Sequence, residues 1–205
     1  MTTATSKQSS KAQTQKAPPK TKVRKMTLQQ FWAKYADRAD GFKYEFDNGL
    51  VEKTPYTMKP EQAYIVKNLK RAFVQSAAYK AGGELYDELE IETLPEKGRR
   101  PDVSYLDNEQ IEKGDNSALP AFIIEVISTT DNINRVNNKI LEYFKVGVKM
   151  VWHIFPQQEM VYVFTSPEDI TVCRGEKICS AEPVIAGFKI AAKDIFRRNN
   201  SPLSI

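Results

Sequence analysis

Two acidic residues, Asp102 and Glu125, stand where a carboxylate is unusual. Glu125 lies inside the apolar run FIIEVIS of residues 122–128, whose length and Ile and Val content favour a buried strand. Asp102 opens the run PDVSYL, which also favours a strand, and follows the basic pair Arg99-Arg100. An ionised carboxylate inside a strand is costly unless it is paired, hydrogen-bonded or bound to a cation. These two acids are therefore the first candidates for chemistry.

If the two strands pair, both carboxylates can emerge at one edge of the sheet. Two carboxylates within a few ångströms repel each other, and the usual solutions are a shared proton or a hard cation such as Mg²⁺. A cation held in this way can activate water and stabilise charge on a phosphate. Taken singly, Asp102 has a simpler explanation as a strand-entry residue, and Glu125 as the partner of a Lys or Arg at the core edge. Together, in this order, they favour the metal site.

The elements that must position these acids follow from hydrophobic periodicity and turn signals. Thr27 to Gln30 has the spacing of a capping box, which predicts that a helix begins there. Asn48-Gly49 inside YEFDNGLVEK predicts a β-hairpin. A longer helix is expected over about residues 61–79, with an apolar face that includes Ala63 and Val66. The run ELYDELEIETL then reads as one strand, followed by a turn at residues 96–100.

The second half of the chain alternates strands and helices. A polar loop over residues 107–119 leads into the buried strand AFIIEVIS, and residues 131–146 show helical periodicity that ends at Gly147. The runs KMVWHIF and EMVYVFT predict two more strands, and AKDIFRR a last helical turn. A strand–helix–strand unit over residues 121–155 implies a parallel pair with a right-handed crossover. The predicted fold class is α/β, bordering on α+β, with one mixed central sheet flanked by helices.

The net charge of +4 conceals an asymmetry along the chain. Residues 1–26 contain seven basic residues and no acidic one, which leaves 23 basic against 26 acidic residues in the remainder. This segment cannot bury enough apolar surface to order itself, so we expect a disordered basic tail over 1–26, a folded domain over 27–199 and a short C-terminal tail over 200–205. The basic tail is either a solvated leader or an arm that attracts phosphates.

Several classes of protein are disfavoured. No apolar stretch approaches the ~18 residues that a membrane span requires, and the N-terminus does not resemble a secretory signal. We therefore expect a cytoplasmic protein without a membrane partner, in which Cys173 and Cys179 are free thiols. The single histidine, His153, excludes a His-rich zinc site, and the sequence shows no Ser-His-Asp arrangement, no P-loop and no GxGxxG motif after a strand.

Four segments carry a resemblance to a known family. They are YEFDNGLVEKTP, RRPDVSYL, PAFIIEVIS and DNINRVNNKILEYFKVGVKMVWHIFP. Their order, with Pro-Asp, then Glu-Val-x-Ser, then Lys, then aromatic-x-x-Gly-Val, resembles the Uma-type family of bacterial restriction-endonuclease-like proteins in the PD-(D/E)XK nuclease superfamily. The likeness extends from about residue 27 to 196. It implies a restriction-endonuclease-like fold.

The resemblance also implies metal-dependent hydrolysis of phosphodiester bonds. Asp102 and Glu125 would bind Mg²⁺ or Mn²⁺, and Glu45 matches the family's upstream acid, which could join the metal site. The common superfamily motif has a lysine two residues after the second acid, but Ile127 stands there. In the Uma-type pattern the following helix supplies this lysine, and Lys139 is the matching residue. It would orient the attacking water or stabilise the phosphate. The alternatives are an exposed hairpin residue for Glu45 and a solvated helix residue for Lys139.

Two neighbours of these residues have open roles. Ser128 either helps to form the site or caps the next helix, and Arg135 either contacts phosphate or is an ordinary surface arginine. Two hypotheses of function result. The first is an endonuclease that acts on DNA rather than RNA, with a homodimer suggested only by analogy. The second is a catalytically silent nuclease fold that binds nucleic acid or a protein partner.

Overall fold

The structure is a computed structural model, and it describes residues 26–55, 60–114, 118–129 and 131–198 of the 205-residue chain. Almost all of the predicted basic tail and the predicted C-terminal tail lie outside these ranges. Six α-helices occur in the described part of the chain: α1 (Leu28–Tyr35), α2 (Pro60–Phe73), α3 (Ala77–Lys80), α4 (Asn108–Lys113), α5 (Ile133–Val146) and α6 (Ala192–Ile195).

The strands form three sheets rather than the single sheet that the sequence suggested. The strands are β1 (Phe42–Asp47), β2 (Leu50–Pro55), β3 (Glu84–Asp87), β4 (Ile91–Glu92), β5 (Lys97–Arg99), β6 (Val103–Leu106), β7 (Phe122–Val126), β8 (Met150–Phe155), β9 (Met160–Phe164), β10 (Ile170–Arg174), β11 (Ile178–Ser180) and β12 (Lys189–Ala191). The large sheet has the order β10-β9-β8-β7-β6-β3, the small sheet β2-β1-β5-β4, and β11 pairs with β12. Only β7 and β8 pair in parallel among the described strands, as the strand–helix–strand pattern predicted. The mixed α/β class is confirmed.

The two faces of the large sheet bury different partners. Successive residues of a strand point to opposite faces. Phe122 and Ile124 of β7 join the main core, to which α2 and α6 also contribute. Ile123, between them, packs on the other face with Ile140 and Tyr143 of α5. Glu125 shares the face of Ile123, so it points toward α5.

The small sheet is fixed by its hairpin and by α1. Asn48 and Gly49 have φ values of 50° and 90°, the left-handed backbone that a two-residue hairpin turn requires, so this prediction is confirmed. Tyr44 and Phe46 of β1 pack with α1. The alternate residues of β1 must therefore face the opposite way, toward the large sheet and α5.

Helix α5 begins and ends close to where the sequence indicated. The Asn132 side chain caps its first turn by accepting hydrogen bonds from the backbone N–H groups of Asn134 and Arg135, so the alternative of Ser128 as the cap is wrong. Gly147 ends the helix with a φ of 107°, in the left-handed region that favours glycine.

Four local predictions were wrong. The run ELYDELEIETL is divided between β3 of the large sheet and β4 of the small sheet, because Glu88 adopts a left-handed backbone with φ 51°. The predicted turn at residues 96–100 contains strand β5, and the predicted loop at 107–119 contains α4, which begins with a capping box at Asp107. Helix α2 ends at Phe73 rather than near residue 79, and Ala63 of its predicted apolar face is exposed, whereas Val66 packs against the main core.

Both cysteines are free and buried, as expected. Within the described ranges, no helix has both the length and the apolar character to cross a bilayer.

Candidate active site

Asp102 and Glu125 lie side by side at one end of the large sheet. Strands β6 and β7 are antiparallel with Val103 opposite Ile124, and continuing this register by one residue places Asp102 opposite Glu125. Both residues are buried, with 8% and 7% of their surface exposed. The backbone N–H of Val126 donates to Asp102 Oδ2 at 2.7 Å, which fixes the carboxylate against the neighbouring strand. The sequence-predicted pair therefore comes together.

Helix α5 supplies two donors to Glu125. Tyr143 donates its hydroxyl to Glu125 Oε1 at 2.6 Å, and Lys139 Nζ donates to the same oxygen at 3.2 Å. Lys139 and Tyr143 are one helical turn apart, so they lie on the same face of α5. Among the described residues both hydrogen bonds to this carboxylate end on Oε1, which leaves Oε2 available for a ligand.

Lys139 bridges the large sheet and the small sheet. Its ammonium also donates to Glu45 Oε1 at 2.8 Å, so it links an acid of β1 to an acid of β7. Burial alone would lower the pKa of Lys139, but Glu125 and Glu45 outweigh burial and raise this pKa. The side chain is therefore a cation at neutral pH, and it can donate hydrogen bonds but cannot accept a proton.

Glu45 is buried, with 2% exposure, and it is surrounded by donors. It accepts from Lys139, from the backbone N–H of Arg100 at 3.1 Å and from the Arg135 guanidinium, which also pairs with Glu52 at 2.7 Å. Burial alone would raise the pKa of Glu45, but Lys139 and Lys43 hold it well below its ordinary value. Glu45 thus orients two cationic side chains of α5, a contact that sequence reasoning did not foresee for Arg135.

A second partly buried lysine, Lys43, was not predicted from the sequence. Its ammonium lies 2.8 Å from Asp102 Oδ1 and 3.6 Å from Glu88 Oε1. Burial alone would lower the pKa of Lys43, but the surrounding carboxylates, Asp102 first among them, raise it. Strand alternation offered the signal: Lys43 and Glu45 flank Tyr44, whose ring belongs to the α1 core, so both must point to the opposite face.

His153 lies directly beside the acid pair on strand β8. The parallel register of β7 and β8 places it opposite Glu125, and it is 2% exposed. Burial lowers the pKa of His153 to about 4, although the charge of Glu125 acts in the opposite direction. The imidazole is therefore neutral at neutral pH. The sequence had used this residue only to exclude a His-rich zinc site.

Two clefts adjoin this group of charged residues. The α2 cleft has a volume of about 540 Å³ and runs from Val66 and Arg71 of α2 to Glu88 and Asp102. The α5 cleft has a volume of about 560 Å³ and is lined by Arg135, Asn138, Lys139 and Lys145 on the helix side, with Lys97 opposite. One cleft thus reaches the Asp102 side of the pair and the other reaches the Lys139 side.

The two carboxylates suit a hard divalent cation, but they are not joined by a third ligand of the same kind among the described residues. Mg²⁺ prefers carboxylate and carbonyl oxygens, and Asp102 and Glu125 offer carboxylates on adjacent strands. Within the described ranges, no group of three or more His, Cys, Asp or Glu side chains is arranged to hold a metal ion. The oxygens of Glu45 are instead engaged by Lys139 and Arg135. The residues thus fit a two-carboxylate site, and Glu45 as a metal ligand stays a prediction.

The chain is similar to a solved structure and matches one family model. The structure is similar to the crystal structure of a putative nuclease belonging to DUF820 from Anabaena variabilis, with a TM-score of 0.69 and 20% sequence identity. The alignment covers 83% of this chain and 97% of that one, and the likeness establishes the fold. No curated protein matches the chain. The family model Uma2, described as putative restriction endonuclease, matches residues 28–193. The chain therefore belongs to the Uma2 family of putative restriction endonucleases.

Proposed function

We propose that this protein is a metal-dependent endonuclease that hydrolyses phosphodiester bonds in DNA, with residues 27–199 as its nuclease domain. The observation that carries the proposal is the convergence of Asp102, Glu125 and Lys139, which come from two adjacent strands and a helix. Family membership supports nuclease activity, and the description of the family as restriction endonucleases favours DNA over RNA.

Asp102 and Glu125 would hold the divalent cation. Asp102 is fixed by the Val126 N–H and Glu125 by Tyr143, so both carboxylates are oriented by the fold before any ligand arrives. Mg²⁺ bound by these residues would lower the pKa of water and stabilise negative charge on the phosphate. Oriented ligands of this kind need little rearrangement when the substrate enters.

Lys139 supplies a fixed positive charge next to the acid pair. Because its pKa is raised, it acts as a donor that orients water or contacts a phosphate oxygen, and not as a general base. Glu45 holds this ammonium in place and also binds Arg135, which faces the α5 cleft. We infer that Glu45 positions Lys139 rather than contacting the substrate.

The substrate backbone would pass through the α5 cleft. This cleft has five basic side chains against three acidic ones, so it attracts anions. The basic segment at residues 1–26 could add sequence-independent attraction to phosphates. An enzyme acting on cellular DNA would work in the cytoplasm, and cutting of both strands would favour a homodimer.

The experiment is a cleavage assay on plasmid, single-stranded DNA and single-stranded RNA, with Mg²⁺, with Mn²⁺ and with EDTA. The wild-type protein is expected to cut DNA only in the presence of metal. Lys139→Met should slow cleavage by about 100-fold while DNA binding persists, because it removes the charged hydrogen-bond donor that would orient water or contact a phosphate oxygen. Lys149→Met, an exposed lysine after α5, serves as the control and should cut at the wild-type rate.

Cleavage that persists in EDTA, or that is unchanged in Lys139→Met, would contradict the proposal. DNA binding without cleavage on any substrate would favour the second candidate, a silent binding module. That candidate is favoured by one observation: Lys43 and Lys139 already pair with the acids, and the described residues contain no three-ligand metal group.

A further inference from the structure

Lys43 occupies a cation position that the proposed reaction does not require. It reaches from β1 of the small sheet to the end of the large sheet, where its ammonium pairs with Asp102 at 2.8 Å and lies 3.6 Å from Glu88. Only 14% of the Lys43 side chain is exposed. A buried lysine is stable in its charged form only where carboxylates surround it. The site around Asp102 is therefore built with a permanent cation.

The carboxylates of the site have cationic partners without metal. Four carboxyl side chains, those of Glu45, Glu88, Asp102 and Glu125, are linked by ion pairs to three cationic side chains, Lys43, Lys139 and Arg135, the last of which also pairs with Glu52. Without Lys43, Asp102 and Glu88 would lose their shared partner and repel each other.

Lys43 also limits access to Asp102. Oδ1 of this carboxylate is bound by Lys43, and Oδ2 by the Val126 N–H. A divalent cation that binds Asp102 must share Oδ1 with an ammonium or displace it. Two positive charges that share one oxygen in a partly buried site repel each other, so the ammonium of Lys43 weakens metal binding at Asp102.

We propose that Lys43 is a built-in cation that holds the acid site together when metal is absent and keeps metal affinity low until an anionic phosphodiester enters. The substrate phosphate adds negative charge beside Lys43, and this compensates for the added charge of the metal. Metal and nucleic acid then bind cooperatively, because each reduces the cost of binding the other. This inference rests on the proposed function, since it concerns the same metal site.

The test measures Mn²⁺ affinity by isothermal titration calorimetry, without substrate and with a short phosphorothioate oligonucleotide that resists cleavage. Lys43→Gln removes the charge but keeps a hydrogen-bond donor for Asp102, and Lys43→Met removes both. Lys43→Arg retains the charge, and the exposed Lys149→Met is the matched control for loss of a lysine. Thermal unfolding in EDTA verifies that each variant is folded.

We expect Lys43→Gln and Lys43→Met to bind Mn²⁺ about tenfold more tightly than wild type without oligonucleotide, because a nearby positive charge is gone. Both variants should melt at a lower temperature in EDTA and recover with Mn²⁺. The oligonucleotide should strengthen Mn²⁺ binding in wild type and Lys43→Arg, and much less in the two uncharged variants.

This inference would be overturned if the wild type binds Mn²⁺ and Lys43→Gln binds it no more tightly. The proposed nuclease function would then remain intact. Equal Mn²⁺ affinity in wild type with and without the oligonucleotide would also overturn this inference. A lack of Mn²⁺ binding in every variant and every condition would overturn the metal site and this inference together.

Discussion

Helix α5 contributes Lys139 to one ionic cluster and Glu142, about one helical turn further on, to another. The two clusters are built differently. The structural cluster comprises Arg99, Glu142, Asp47, Lys97 and Thr93, whereas the acid site comprises Asp102, Glu125, Glu45, Lys43 and Lys139. In the structural cluster the planar guanidinium of Arg99 binds both oxygens of Glu142, at 2.8 and 2.7 Å, and a third donor contact reaches Asp47 at 2.9 Å. In the acid site the cations that contact Asp102 and Glu125 are lysines, whose ammonium groups are point charges without a fixed planar fork.

The difference separates a cluster that stabilises from one that can react. Glu142 also accepts from Thr93 and Lys97, so each of its oxygens has at least two donors. This saturated arrangement ties β4 and β5 of the small sheet to α5. Glu125 accepts on one oxygen only among the described contacts, which leaves capacity for a ligand. We expect substitutions in the acid site to affect cleavage more than stability. We expect substitutions in the structural cluster to affect stability more than cleavage.

The largest expected effect is on cleavage. Asp102→Asn and Glu125→Gln should each reduce the rate of plasmid cleavage by about 1,000-fold, because each removes a metal-binding charge. The free energy of unfolding should fall much less than the rate, since the amides keep the size of the acids and still accept hydrogen bonds from Lys43, Lys139 and Tyr143, although the ion pairs lose one charge. Cleavage kinetics and urea unfolding measure the two quantities. The exposed Glu84→Gln on β3 is the control, and cleavage equal to wild type in Asp102→Asn would contradict the assignment.

The second-largest effect is expected on the free energy of unfolding, from a substitution in the structural cluster. Glu142→Ala should lower the free energy of unfolding by about 3–5 kcal/mol, because it leaves the buried Arg99 guanidinium without its main partner. Urea unfolding followed by circular dichroism measures this. Glu142→Ala should retain metal-dependent cleavage at low temperature, where the protein is folded. A loss below about 1 kcal/mol would show that the cluster does not hold the small sheet to α5.

The third effect is on the pH dependence of the free energy of unfolding. It concerns His153, which lies beside the acid site. Because its folded pKa is about 4 against an ordinary value of 6.5, the unfolded chain binds more protons within this window, and stability falls as the pH drops from 6.5 toward 4. At pH 5 the loss should be about 2 kcal/mol. Unfolding free energies of wild type and His153→Gln at pH 7 and pH 5 test this. An equal loss in both proteins would assign the effect to other groups.

The smallest effect is expected from Tyr143→Phe. This change removes the 2.6 Å hydrogen bond to Glu125 and keeps the ring in its core position. It should cost about 1 kcal/mol of stability and slow cleavage by about fivefold, because Glu125 becomes less well oriented. Urea unfolding and plasmid cleavage provide the two numbers. A rate equal to wild type would mean that Lys139 alone suffices to orient Glu125.

Local signals predicted the parts of the fold that depend on neighbouring residues. The Asn48-Gly49 turn, the capping box at Thr27 and the buried strand around Glu125 were predicted correctly, because turn chemistry, caps and apolar runs are written in adjacent residues. The division of ELYDELEIETL between two sheets was missed. It depends on one left-handed residue, Glu88, and on long-range pairing that periodicity does not encode.

The same limit applies to the site. The pairing of Asp102 with Glu125 follows from two adjacent strands, and it was foreseen. Lys43, Glu88 and His153 come from separate elements, and their contact with the acids depends on how the small sheet is docked on α5 and the large sheet. Strand alternation could have placed Lys43 on the face of Glu45, but no local pattern placed Glu88 or His153 beside the acids.

The most direct test of the account is an anomalous-difference map from a crystal grown with Mn²⁺ and a phosphorothioate oligonucleotide. One strong peak is expected between the carboxylates of Asp102 and Glu125, with a phosphate oxygen near Lys139. A map with bound oligonucleotide and no metal peak at these two carboxylates would contradict the account.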